Sequence, residues 1–508
     1  MPRFKIRKLL RKLLRRMFPS LTRSQEVDIK DTYQFSSRKK IKTCIKDYPL
    51  QINLYPDSKA LHLYPEPALN HNSDGVTTIN YILFDPEVFY TDICGFYRLQ
   101  DEDTITLGGG DAEQRAMLNV PPGAPARKLS ISIEDGWLTF QSPIPDPMPS
   151  ITPLFQDKKV RRVLDWRHNK LRRLREIFGN PIALLPADEA IALLRKVNQI
   201  LEHEKYRPRD KDDRPGGVVA LPDDSTVIVV GDLHAKADNL LVVLSQNNFL
   251  EALEAGQASL VILGDAVHPE GDTVLDEMQS SMLIMDLIFT LKVRFPQQVF
   301  YIRGNHDSYA EEIAKAGIPQ GLIWGKTLKK ERGKAYRKEM KRFYELLPYV
   351  AFSGHFAACH AAPPVSSTSL NKIINIRNNP KLYKELADNR LRQANRPSGY
   401  SGSDVKRFRK CLGLAKKTPV IVGHTPMSVD DTLWENVGEI DNHYIVYSSD
   451  SRWVGLMAQI GDRLYPFRYP VEPMMSIINA LPEQEEKASV PKQSANLPEA
   501  EPTQRSVL

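Results

Sequence analysis

Residues 226–234 read TVIVVGDLH: a β-favouring run, mostly valine and isoleucine, enters a glycine, and two of the three residues after it can bind a cation. The pattern recurs as LVILGD at 260–265, VFYIRGNHD at 299–307, FAACH at 356–360 and VIVGH at 420–424. Short continuous apolar runs of this kind are strands buried on both faces. In sheets built from them, function gathers beyond the carboxyl ends of the strands. Glycine permits a tight turn there, so that the next side chain enters the cleft. An α/β domain is therefore expected over residues 223–475.

The side chains at these strand ends are Asp232, His234, Asp265, Asn305, His360 and His424. Oxygen and imidazole donors without thiolates suit manganese, iron, zinc or cobalt and exclude an all-cysteine structural zinc site. A carboxylate can bridge two ions, so six ligands suffice for two metals. Two metals about 3.5–4 Å apart clamp an in-line phosphoryl displacement. Each motif alone is weak, since a single histidine at a strand end is usually structural. Five in this order form a pattern.

That pattern resembles the calcineurin-like metallophosphoesterases, closest to the phosphoprotein phosphatase branch, over residues 223–470. The resemblance implies a β-sandwich flanked by helices and a dinuclear centre, manganese first among the candidate ions. Asp232 and His234 would bind one ion, Asp265 both, and Asn305, His360 and His424 the other. A metal-bridging hydroxide would attack phosphorus, His306 would act as general acid, and Arg303 and Arg396 would bind phosphate. The implied activity is phosphomonoester hydrolysis, on phosphoserine or phosphothreonine in proteins. The alternatives are a small-molecule phosphatase of the dinucleoside polyphosphate type and a weakly active, metal-bound regulatory protein. The departures from the family's blocks lie around the metals. GDxxDRG is Gly264-Asp265-Ala266-Val267-His268-Pro269-Glu270 here, so the aspartate that orients the catalytic histidine becomes His268 and the next arginine becomes Pro269. Glu270 and Asp307 are the acids available to orient His306 instead.

Outward from this domain the chain changes character. Its 508 residues correspond to about two to four domains, and a 42% hydrophobic content excludes wholesale disorder. No apolar run reaches the ~18 residues of a membrane span; Ser281–Leu291, with Asp286 inside it, is expected to be a buried helix. Cys44, Cys94, Cys359 and Cys411 are scattered without paired spacing, which fits a reducing, cytoplasmic compartment. Residues 1–24 form a basic amphipathic helix by pattern: Leu9, Leu10, Leu13, Leu14 and Met17 oppose Lys8, Arg11, Lys12, Arg15 and Arg16. Such a helix suits an anionic surface at the inner face of a membrane, a protein dock or an acidic partner. Nucleic acid ranks low, because the aromatic-interleaved basic surface expected of a single-strand binder is not visible.

Residues 25–150 alternate short strands with turns, which suggests an all-β sandwich. Its rhythm weakly resembles a forkhead-associated domain. The family's phosphothreonine-reading positions fall on Gly109, Ala126 and Leu129, which cannot read phosphate. Residues 151–222 are expected to be a helical linker and 476–508 a disordered, polar, proline-rich tail.

Overall fold

The computed structural model describes residues 24–481, apart from short stretches of which 67–79, 86–95 and 109–128 are the longest. The basic helix of 1–24, but for its last residue, and the tail beyond 481 lie outside the described residues, as do Gly109 and Ala126.

Residues 25–153 form two sheets. One has five strands, in the order 25–26, 40–43, 137–141, 129–134, 104–107; the other has six, in the order 33–34, 150–153, 50–53, 60–66, 80–84, 96–99. Alternation decides which side chains enter the core. Leu129, Ile131 and Ile133 are buried while Ser130 and Ser132 are half-buried. They share one core with Ile52, Leu63 and Leu83 of the second sheet, so the sheets pack face to face. Leu129 is in that core and presents nothing to a ligand. The strand Ser150–Pro153 runs past the expected boundary at 150 and pairs with Leu50–Asn53.

The segment 151–222 is more than a tether. Its helices Lys159–Phe178 and Ala187–Glu202 bury Leu171, Leu174, Leu194, Val197 and Leu201 in the same continuous core. The strand Val218–Ala220 is already part of the following domain, pairing in parallel with Val350–Ser353.

That domain is a second sandwich. A five-stranded sheet runs in the order Val299–Tyr301, Ala258–Ile262, Thr226–Val230, Trp453–Ile460, Arg463–Pro470. A six-stranded sheet runs Val218–Ala220, Val350–Ser353, Phe356–Cys359, Val420–Val422, His443–Val446, Leu433–Glu435. Val227, Val229, Val261 and Phe300 of the first sheet pack on Ala351, Phe356, Ala358 and Ile421 of the second. The alternate residues Ile228, Val230, Leu260 and Ile262 face helices instead. Both faces are dry, which is why these runs are apolar throughout and lack alternation. Among the helices is Gln279–Arg294, the expected buried one. Its Asp286 is held by both terminal nitrogens of Arg332 at 2.7 and 2.5 Å. Residues 474–479, partly inside the expected tail, are helical, with Ile477 and Ile478 buried. Among the described residues, no helix is long and apolar enough to cross a membrane.

Candidate metal centre

The strands Thr226–Val230, Ala258–Ile262 and Val299–Tyr301 deliver Asp232, His234, Asp265 and Asn305 from one sheet. Phe356–Cys359 and Val420–Val422 deliver His360 and His424 from the other. All six side chains meet at the carboxyl ends. Two groups of donor atoms each lie within 4.8 Å of one another: Asp232, His234 and Asp265, and Asp265, His360 and His424. Asp265 is common to both. The Asn305 Oδ1 is 3.0 Å from His360 Nε2.

The turns that make this convergence possible are strained. His234, Asp265 and His424 all adopt positive φ, of 39°, 49° and 65°. Non-glycine residues rarely do so, and such strain collects at functional sites. A side chain at Gly304 would collide with the Asp265 carboxylate, so glycine is required for the two loops to close.

The hydrogen bonds behind the donors settle which nitrogen faces the cluster. His360 Nδ1 donates to the Leu263 carbonyl at 2.7 Å, leaving Nε2 toward Asp265 Oδ2 at 3.1 Å. His234 Nδ1 donates to the His268 carbonyl at 3.1 Å, leaving Nε2 toward Asp232 and Glu270. Backbone carbonyls behind imidazoles fix tautomer and ring orientation in metal sites. Asp232 accepts the His424 amide at 3.0 Å, and Asp265 the His306 amide at 2.8 Å.

The electrostatics are those of a buried cluster of mutually opposing charges. Burial, with Asp265 close by and His360 opposing, pushes Asp232 up to about 6. Burial alone would raise Asp265 too, but His360 and His306 hold it well below the carboxylate range. Burial would lower His360, yet Asp265 and Asp232 raise it to about 9. Burial, with His360 adding to it, holds His424 well below the histidine range, and its buried Nε2 has no hydrogen-bond partner. A set of carboxylates and imidazoles at hydrogen-bond spacing fits divalent cations.

The residues around this set differ from expectation. His306 is faced by His268, with Nδ1 to Nδ1 2.9 Å. Neither acid expected to orient it does so. Asp307 turns away to accept from Gly304 N and Tyr301 OH, each at 2.8 Å. Glu270 is taken by Lys315 at 2.7 Å and by the hydroxyl of Tyr447. His268 also packs edge-on against the buried Trp324, and its Nε2 is buried without a partner. Burial, then repulsion from His306, keeps His268 well below the histidine range; His306 is lowered to about 4, chiefly by burial. One proton lies in the Nδ1–Nδ1 hydrogen bond between the two rings.

Arg303 is turned from the position expected of it. Its guanidinium donates to the carbonyls of Tyr344 and Asp307 and lies between the rings of Tyr344 and Tyr383. Arg396 lies outside the described residues. The arginine beside the cluster is Arg390, whose Nη1 is 3.3 Å from Thr425 Oγ1, one residue after His424. Tyr447 was missed, although it follows the strand His443–Val446 as the ligands follow theirs. It bridges to Asp232 in the backbone and carries Glu270.

Two β-sheets meeting at a paired Asp/His/Asn cluster define a metallophosphoesterase architecture. Residues 225–448 match the family model for calcineurin-like phosphoesterases, and this part of the chain is a calcineurin-like phosphoesterase domain. Two curated relatives are serine/threonine-protein phosphatases. One is the PP2A-like PPG1 of Candida albicans, 28% identical over 151 residues, which are 29% of this chain and 32% of that protein. The other is rdgC of Drosophila melanogaster, 37% identical over 81 residues, 16% of this chain and 10% of that protein. The chain thus spans about a third or less of the length of these relatives. A solved Saccharomyces cerevisiae serine/threonine phosphatase similar to human PP5 superposes with a TM-score of 0.42 at 16% identity, covering 57% of this chain and 91% of that one.

Proposed function

We propose that this protein is a metal-dependent phosphatase that hydrolyses phosphomonoesters, with phosphoserine and phosphothreonine in proteins as its substrate class. The single observation that carries this is the convergence of five donors in two groups that share Asp265, with Asn305 beside His360. The serine/threonine phosphatase relatives favour the protein substrate.

Asp232 and His234 would hold one divalent ion, Asn305, His360 and His424 the other, and Asp265 both. Manganese stands first for this set of three oxygen-donor residues and three imidazoles; iron, zinc and cobalt also fit. When bound, two such ions activate water and neutralise the charge of an in-line displacement at phosphorus. The chain does the rest. The carbonyls of Leu263 and His268 keep His360 and His234 aimed. Arg390 holds phosphate oxygens through its guanidinium fork. His306 Nδ1 faces His268, so its Nε2 is the atom turned to the leaving alkoxide, and the imidazolium form of His306 would give up its proton there and return to the neutral ring. Residues 1–22 would add affinity for an anionic membrane surface or an acidic protein.

Turnover with added manganese on a phosphoserine peptide and on a dinucleoside polyphosphate tests the assignment. The peptide is expected to be the better substrate by kcat/KM. Faster turnover of the dinucleoside compound would make the protein a small-molecule phosphatase.

A further inference from the structure

Away from the metal cluster, a cavity of about 830 Å³ opens between residues 202–215, the end of the helix Gly333–Leu346 and the segment 376–383. This is the size range of small-molecule pockets. None of the six metal-ligand candidates lines it, but Arg209, Arg214, Arg303, Arg342 and Arg377 do.

These arginines are not equivalent. Arg342 is paired with Glu202 at 2.6 Å, and Arg214 with Asp210 and Asp212 at 3.0 and 2.6 Å. Arg303 and Arg377 have no carboxylate within ion-pair distance among the described residues. Their donors meet only carbonyl oxygens: Tyr344 and Asp307 for Arg303, Glu345 and Pro215 for Arg377. Each also keeps a buried nitrogen without an acceptor, Nε in Arg303 and Nη2 in Arg377. Burial lowers the pKa of Arg377; Tyr349 and Asp210 oppose that, while the positive charges of Arg214 and Arg303 add to it. Two half-buried cationic side chains that lack an ion-pair partner favour an anion that joins them. Two tyrosines complete the wall. The Tyr349 and Tyr383 rings meet edge to face at 5.7 Å, and Tyr383 is 37% exposed at the rim.

We infer that this cavity is a binding site for a phosphate-bearing small molecule of nucleotide size, its phosphate between Arg303 and Arg377 and its planar group against Tyr383. Guanidinium pairs match phosphate oxygens in geometry and charge. An exposed aromatic face beside them suits a heterocycle, whereas inorganic phosphate alone would leave most of the cavity unfilled. Arg303 directly precedes Gly304-Asn305-His306, and it holds the Asp307 carbonyl. The occupant would therefore rest on the back of the turn that supplies Asn305, a place from which it can bias the metal centre without entering it.

Calorimetry on the full chain, with chelator present so that no turnover occurs, tests this with adenosine monophosphate as probe and inorganic phosphate as control. Wild type and Asp265→Asn should bind the nucleotide equally, because the metal centre is not involved. Arg377→Gln should weaken binding at least tenfold, and inorganic phosphate should bind at least tenfold more weakly than the nucleotide. Tyr383→Ala alters an exposed ring, so it keeps the test open if Arg377→Gln fails to fold; it should also weaken binding several-fold. Absence of binding to wild type, loss in Asp265→Asn, unchanged affinity in both cavity variants, or phosphate binding as tightly as the nucleotide would each overturn the assignment.

Discussion

The metal cluster and the shell around it follow different rules in this molecule. Every donor expected of the cluster is present, and Asp232, His234, Asp265, Asn305, His360 and His424 converge as the strand-end pattern requires. A few ångströms away, the residues that would orient the proton donor and grip phosphate have been replaced: a histidine faces His306, a proline follows it, and Arg303 points into a separate cavity. Metal ligands, as proposed for these six, would be constrained by the geometry of an ion, and losing one would empty a position. The shell is constrained only by the charge and proton it must supply, and other side chains can supply those. Glu270, held by Lys315 and Tyr447, stands 3.7 Å from His234.

The comparison can be broken first at its strong end. Chelation should abolish turnover, and manganese or cobalt should restore it; activity that survives exhaustive chelation would mean the cluster is not the engine. Next comes the proton donor. A positioned general acid contributes about 10²–10⁴-fold. His306→Ala should therefore cut phosphoserine turnover heavily and nitrophenyl phosphate turnover much less, since a nitrophenolate leaves without a proton. Equal losses for both would remove His306 from that role. His268→Asp sharpens the same point. A carboxylate at this position favours the protonated imidazole of His306, which a neutral histidine cannot do. Turnover of the alkyl phosphate should rise in that variant, and an unchanged rate would show that His268 already suffices.

Smaller effects follow at the phosphate. Charge-assisted hydrogen bonds contribute about 1.5–3 kcal/mol, or roughly 10–100-fold in binding. Arg390→Ala should raise the phosphopeptide KM by that order, while Arg303→Ala should leave KM nearly unchanged and lower the melting temperature. The reverse pattern would restore Arg303 to the substrate. Smallest of all on catalysis is deletion of residues 1–22. It should leave turnover of a soluble substrate unaltered and abolish salt-sensitive binding to anionic vesicles; if the full chain ignores such vesicles at low salt, that segment is a protein dock.

What the sequence could convey divides along the same line. A buried strand ending in glycine and a ligand is a local pattern, so the five strands and six donors were legible, as was the buried helix around Asp286. Apolar alternation also marks strands at 104–107, 129–133 and 137–140, where the structure has Thr104–Leu107, Leu129–Glu134 and Trp137–Gln141. The strand Ala60–Glu66 is not marked, because Pro65 interrupts its pattern. The helices of 151–222 were legible as helices. Their burial was not, since it depends on partners far along the chain, such as Glu472 for Arg167 at 2.7 Å. The orientation of Arg303 is of this second kind, set by a carbonyl 41 residues away. So is the meeting of His268 with His306, 38 residues apart, which no spacing rule anticipates.

The shared role of Asp265 is the centre of the account, and metal content measures it most directly. Purified full-length protein, Asp265→Asn and His234→Ala would be loaded with manganese, desalted and analysed for bound metal per chain. The account predicts two ions in wild type, one in His234→Ala, which touches a single ion, and less than one in Asp265→Asn, which touches both. Asp265→Asn retaining as much metal as wild type, or more than His234→Ala, would contradict it.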